Sequence, residues 1–200
     1  MFLSPQKLLW HLVLLGTLYT HAGDEFSPGF IQKELERAKT DPDHTTNIMV
    51  RGSIDEVFTF LLERLDLFIS DARRVAFDHN NAEVPGALGV GSERRTTMAN
   101  QRTLVQRMLH VASPTAFAYF TDMEQSTLEV PITYSVTYYQ LTKQENGAVD
   151  VRVSVVFKPK SRVIGPLVRL GFKRGMNRDF KKAAAYLNAK PREETTTSPR

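Results

Sequence analysis

IGPLVRLGFKRGMNRDFKKAAAYL, Ile164 to Leu187, is the stretch on which the reading of this chain turns. Ile164, Val168, Gly171 with Phe172, Gly175 with Met176, Phe180, Ala183 and Leu187 recur at steps of three and four. That period stacks side chains on one face of a helix, so the spacing predicts a long amphipathic helix. Two glycines stand one turn apart in its apolar stripe, Gly171 and Gly175. Glycine weakens a helix, and its use here implies either close packing or space left empty. A stripe of this length must be covered by something else in the chain.

The segments just before it supply the cover. Ile132, Tyr134, Val136 and Tyr138 alternate with Thr133, Ser135, Thr137 and Tyr139, and Val149, Val151, Val153, Val155 and Phe157 alternate with polar neighbours. Period two over that length means strands with one buried face, and Asn146-Gly147 between them reads as the turn of an antiparallel hairpin. Ser92–Asn100, Arg102–Val111 and Thr115–Met123 are further strand-like runs. Ser53 with Glu56 three residues later forms a capping box that starts a helix, and Leu65–Arg73 reads as a second, shorter one. Thr45–Val50 before them looks extended, and Val75–Val84 is mixed, with Asn80-Asn81 suited to a turn. The order is strand, two helices, about six strands, long helix. Helices segregated from an antiparallel sheet define an α+β domain, most economically a bent sheet wrapped around the last helix with a cavity left between them.

Ahead of this domain, assigned to 45–189, lie a short apolar leader and a lead-in segment, 23–44, with a weak amphipathic patch at Phe30, Ile31, Leu35 and Ala38. Lys7, the apolar run Leu8–Tyr19 and the small residues around Ala22 have the three-part form of a secretory signal over 1–22, too short to span a bilayer. The expectation is export, with an uncleaved membrane anchor or a cytoplasmic protein as the alternatives. Residues 190–200 are polar and read as a disordered tail. At 42% hydrophobic and 24% charged, 200 residues suit one folded domain, and the absence of cysteine excludes disulfides and thiolate metal sites. The formal charge is only +4, yet Arg162–Asn188 holds seven basic residues against Asp179 alone.

Little in the chain points to catalysis. The five histidines are scattered, none at the spacing of a helical zinc site, and no Gly-x-Ser-x-Gly elbow exists. No metal or cofactor is expected. The glycine loop Pro85–Ser92 runs into the strand-like SERRTTMAN, whereas a phosphate-binding loop must open a helix. Asp122, Glu124 and Glu129 read as a solvated acidic turn, and Arg94 and Arg107 as exposed strand residues, given how rarely arginine enters a core.

Thr45–Val50 leading into Gly52-Ser53-Ile54-Asp55-Glu56-Val57-Phe58, the Gly89-Val90-Gly91-Ser92 loop, the antiparallel run and the closing helix together resemble the START/Bet v 1-like helix-grip superfamily (SRPBCC), in its polyketide cyclase/dehydrase and lipid-transport branch. The resemblance implies an internal hydrophobic pocket flanked by the glycine loop and the closing helix. The candidate ligand contacts are then Leu88, Tyr119, Tyr134, Val136, Tyr138, Val153, Val155, Phe157, Phe172 and Met176. The function expected is binding or transport of a hydrophobic small molecule or lipid. The enzyme alternative is a polyketide cyclase/dehydratase-like activity with Tyr134, Tyr138 or His110 as acid or base. The basic face of the closing helix is either plain solvated surface or a transient contact with anionic membranes. Nucleic acid is not expected, because no stacking aromatics accompany the charges.

Overall fold

A computed structural model describes residues 26–163 and 165–189; the signal-like segment 1–22 and the tail 190–200 lie outside the described residues. The elements in chain order are α1 (Pro28–Thr40), β1 (His44–Arg51), α2 (Ile54–Glu63), α3 (Leu65–Phe68), β2 (Ala72–Asp78), β3 (Glu93–Met98), β4 (Thr103–Ala112), β5 (Ala116–Asp122), β6 (Ile132–Lys143), β7 (Ala148–Pro159) and α4 (Gly165–Ala189). The seven strands form one antiparallel sheet in the order β1-β7-β6-β5-β4-β3-β2.

Local chemistry starts α2 as expected. The Ser53 hydroxyl accepts from the Glu56 amide at 3.2 Å, and the Glu56 carboxylate accepts from the Ser53 amide at 3.1 Å, which satisfies two amides that the first turn leaves without partners. The second helix is shorter than the sequence suggests. Only Leu65–Phe68 makes a turn, Asp71 enters the left-handed region at φ 67°, and the chain is a strand from Ala72 onward. Strand β2 escapes a periodicity reading because the apolar and charged residues of its ARRVAFD do not alternate and its register slips between Ala72 and Arg74. Its ladder with β3 holds it in place.

The patch at Ile31, Leu35 and Ala38 is the buried face of α1, a full helix whose start is capped by Ser27. It packs on the outer face of the sheet against Ala118, Phe120, Tyr134, Val136 and Val156. The inner face carries Val149, Val151 and Val153 with Leu141, Tyr139 and Phe117, and α2 and the second half of α4 fill that end of the groove. Phe117 stacks on Tyr139 with centroids 4.2 Å apart, Phe58 meets Phe117 edge-on at 5.3 Å, and Phe180 of α4 meets Tyr139 at 5.9 Å. Such aromatic contacts add about 0.5–1.5 kcal/mol each beyond the area they bury.

A cavity between the sheet and the closing helix

Helix α4 is anchored unevenly. Phe180, Ala183 and Leu187 in its second half are buried, whereas Val168, Phe172 and Met176 in its first half are only half-buried. Polar contacts add to its hold on the sheet: Asn177 bonds His44 and Thr46, Asn188 accepts from the Arg51 amide, and Arg169 reaches Asp43 at 2.7 Å. Asp43 also accepts from Arg37 of α1 and from the Phe157 amide, so one carboxylate joins both helices to β7. Burial by itself would raise the pKa of Asp43. The Phe157 amide, Arg169 and Arg37 outweigh it and hold the carboxyl below its usual range.

Where the first half of α4 stands off the sheet, a cavity of about 300 Å³ remains. Phe172, Gly175, Met176 and Phe180 form its helix side, together with Asp179, and Leu65 and Ile69 line it as well. A Cβ built on Gly175 would meet nothing within 4 Å, so of the two meanings open for these glycines the structure has empty space. Met98, Leu104, Met123, Leu128, Val130 and Ile132 make the apolar part of the opposite wall. Its polar part is a strip of hydroxyls and one amide: Thr96, Gln106, Tyr119, Thr121, Ser135, Thr137 and Tyr139. The Tyr119 and Tyr139 hydroxyls lie 3.3 Å apart. Burial, reinforced by Tyr119, pushes the Tyr139 phenol well above its ordinary pKa, so that hydroxyl stays neutral and available for hydrogen bonding.

Tyr119, Phe172 and Met176 are the expected contacts that line this cavity. Val155 and Phe157 sit beside it, packed against Phe172 and Met176, with Phe157 stacked on Phe172 at 4.5 Å; Val153 lies further along in the core. Leu88 is exposed, on the loop between β2 and β3, and is not a wall residue. Tyr134, Val136 and Tyr138 point to the other face of the sheet. Tyr134 donates to the buried Glu34 of α1 at 2.9 Å, and Tyr138 sits beside His110, with ring centroids 6.3 Å apart. A register shift between Ile132 and Tyr134 is the cause. The alternation slips by one there, which puts Ile132 on the cavity side with Ser135, Thr137 and Tyr139. Since Tyr134, Tyr138 and His110 are all outside the cavity, none can act as acid or base on a molecule inside it.

Arg94 also departs from expectation. It is fully buried on β3, on the same face as Thr96 of the polar strip, with its guanidinium 4.5 Å from the Tyr119 ring centre.

No family model and no curated protein matches this sequence. Solved structures do match in shape. A START superfamily protein from Mycobacterium smegmatis superposes with a TM-score of 0.57 at 10% identity, over 72% of this chain and 95% of that one. Ara h 8.0201 gives 0.54 at 15% identity, over 74% of this chain and 99% of that one. DynU16, from the dynemicin biosynthetic locus, gives 0.52 at 14%, with 72% of this chain covering 46% of the longer partner. With a single curved antiparallel sheet closed by one long C-terminal helix, this chain has the START/Bet v 1-like helix-grip fold.

Proposed function

We propose that the protein carries a small, mostly apolar molecule in the cavity under α4 and exchanges it at an anionic membrane surface. The observation behind the carrier reading is the cavity of about 300 Å³, at the lower end of ligand-pocket sizes, bounded by a helix that leaves Gly175 bare beside it. Burial of apolar area against Phe172, Met176, Met98 and Leu104 would drive uptake, and the hydroxyl strip would orient the guest.

The membrane part of the proposal rests on the outer side of the same half-helix. Leu167 is 71% exposed and Leu170 45%, Arg174, Arg178 and Lys181 continue that line at helical spacing, and Val163, just ahead of α4, is 90% exposed. Large apolar side chains exposed together and bordered by cations suit a lipid interface, where each basic residue adds on the order of 1 kcal/mol. Arg169, Arg178 and Lys182 have polar partners within the protein, which leaves the apolar residues with Lys173, Arg174 and Lys181 to make the contact. Among the described residues no helix is long and apolar enough to cross a membrane.

One experiment reads both parts. The protein is mixed at low salt with anionic or zwitterionic vesicles doped with a lipid extract, and after centrifugation the unbound fraction is examined by native mass spectrometry. The expected result is salt-sensitive sedimentation with anionic vesicles only, weakened by Leu167→Glu with Leu170→Glu, and one guest molecule per recovered chain. Recovery of bare protein would sink the carrier reading. Indifference to both vesicle types would remove the membrane step alone.

A further inference from the structure

Arg94 has no exposure at all, and among the described residues no carboxylate pairs with it. Its Nε donates to the Gln106 side-chain oxygen at 3.0 Å and its Nη1 to the Leu62 carbonyl at 2.9 Å, while Nη2 has no hydrogen-bond partner. A buried cation that lacks a counter-charge is a costly arrangement, and burying it beside a cavity places that cost where a guest can offset it.

The bonds around Arg94 set the polarity of the cavity wall. Because the Gln106 oxygen is taken by Arg94, its amide nitrogen is turned toward Thr121, whose hydroxyl accepts at 3.3 Å. A hydroxyl that accepts this bond has its own proton to give. Gln106 and Thr121 both line the cavity, so this part of the wall offers N–H and O–H donors, with the Arg94 charge bonded to the Gln106 side chain beside them. On the helix side the one wall carboxylate, Asp179, is engaged by Ser70 and Arg178 and would repel an anion.

We infer that the guest is an apolar carboxylic acid, held with its carboxylate against Gln106 and Thr121 beside Arg94 and its hydrocarbon toward Phe172 and Met176. The inference rests on the carrier reading and specifies the guest. Arg94 reaches the carboxylate by its field through Gln106, or by direct bonds from Nη2 once the Gln106 amide swings aside.

The test compares decanoic acid with decanol by titration calorimetry at neutral pH. A cavity without a cation would favour decanol, because a carboxylate gives up more hydration. The expected result is that the acid binds about tenfold tighter, the margin of a charge-assisted hydrogen bond over a neutral one. Arg94→Met is expected to remove that margin and to tip the preference to decanol. Because Arg94 also ties β3 to Leu62, a folding failure of that variant would shift the decision to the wild-type ratio and to its loss in Gln106→Leu. Equal affinities for acid and alcohol in the wild type would overturn the inference and leave the carrier standing. Binding of neither would overturn both.

Discussion

Gly175→Leu is expected to cut the affinity for decanoic acid at least about tenfold while raising thermal stability. Both effects come from the same empty space. The position is helical, a Cβ there meets nothing within 4 Å, and the residue borders a cavity of only about 300 Å³. A leucine gains about 0.8 kcal/mol of helix propensity over glycine. Part of its side chain also leaves water, which adds on the order of 1 kcal/mol. At about 2–4 °C per kcal/mol for a chain of this size, the melting temperature should rise by about 4–7 °C. The leucine then occupies volume that a guest needs. Gly171→Leu is the control: that position is exposed, also open, and outside the cavity wall, so it should gain the propensity and bind as the wild type does. Calorimetry with thermal unfolding on both variants checks the pair. A Gly175→Leu protein that binds decanoic acid normally would show that guests go elsewhere.

The second large effect is on folding. Gly91 sits at φ +90°, and a Cβ there would collide with the backbone carbonyl oxygen of Asn81. Neither partner can yield cheaply. The Gly91 amide donates to the Met108 carbonyl at 2.9 Å, the Met108 amide donates back to Ser92 at 2.8 Å, and the Glu83 amide holds Val90 at 2.9 Å, so the loop is pinned to β4 and to itself. Ser92 is fully buried and bonds His79 at 2.9 Å. Gly91→Ala should therefore destabilise the fold by about 3 kcal/mol or more, from backbone strain and collision together. Gly89→Ala, two residues earlier, meets open space without a positive φ and should stay within about 0.5 kcal/mol of the wild type. Urea unfolding of the two variants gives the comparison. A Gly91→Ala midpoint equal to that of Gly89→Ala would refute the account of this loop.

These residues also mark where the sequence could be read and where it could not. Strand β7 was legible because its inner face, Val149 to Phe157, is packed and unbroken, so period two pointed the right way. Strand β6 misled for two reasons. Helix α1 covers its outer face, which makes Tyr134 and Val136 look like core, and the cavity side uses Ser135 and Thr137 because a wall facing open space need not be apolar. The slip at Ile132 completed the inversion, and no local pattern announces such a slip. Arg94 was invisible for a related reason, since its burial depends on Leu62, Gln106 and Tyr119, three residues distant from it in sequence. By contrast, Gly175 with Met176 could be read directly. A glycine inside an apolar helical stripe asks for either a close neighbour or a void, and the void is what the fold contains.

The central claim is that a guest sits between the sheet and α4, and the methionine methyl groups report on it directly. Met98 on β3, Met123 in the turn after β5 and Met176 on α4 line the cavity, whereas Met49 is 52% exposed on β1, outside that wall. With methyl-labelled methionine and decanoic acid added to saturation, the resonances of Met98, Met123 and Met176 should move together while that of Met49 stays in place. Saturation that shifts Met49, or that leaves the three cavity methyl groups where they were, would contradict the account.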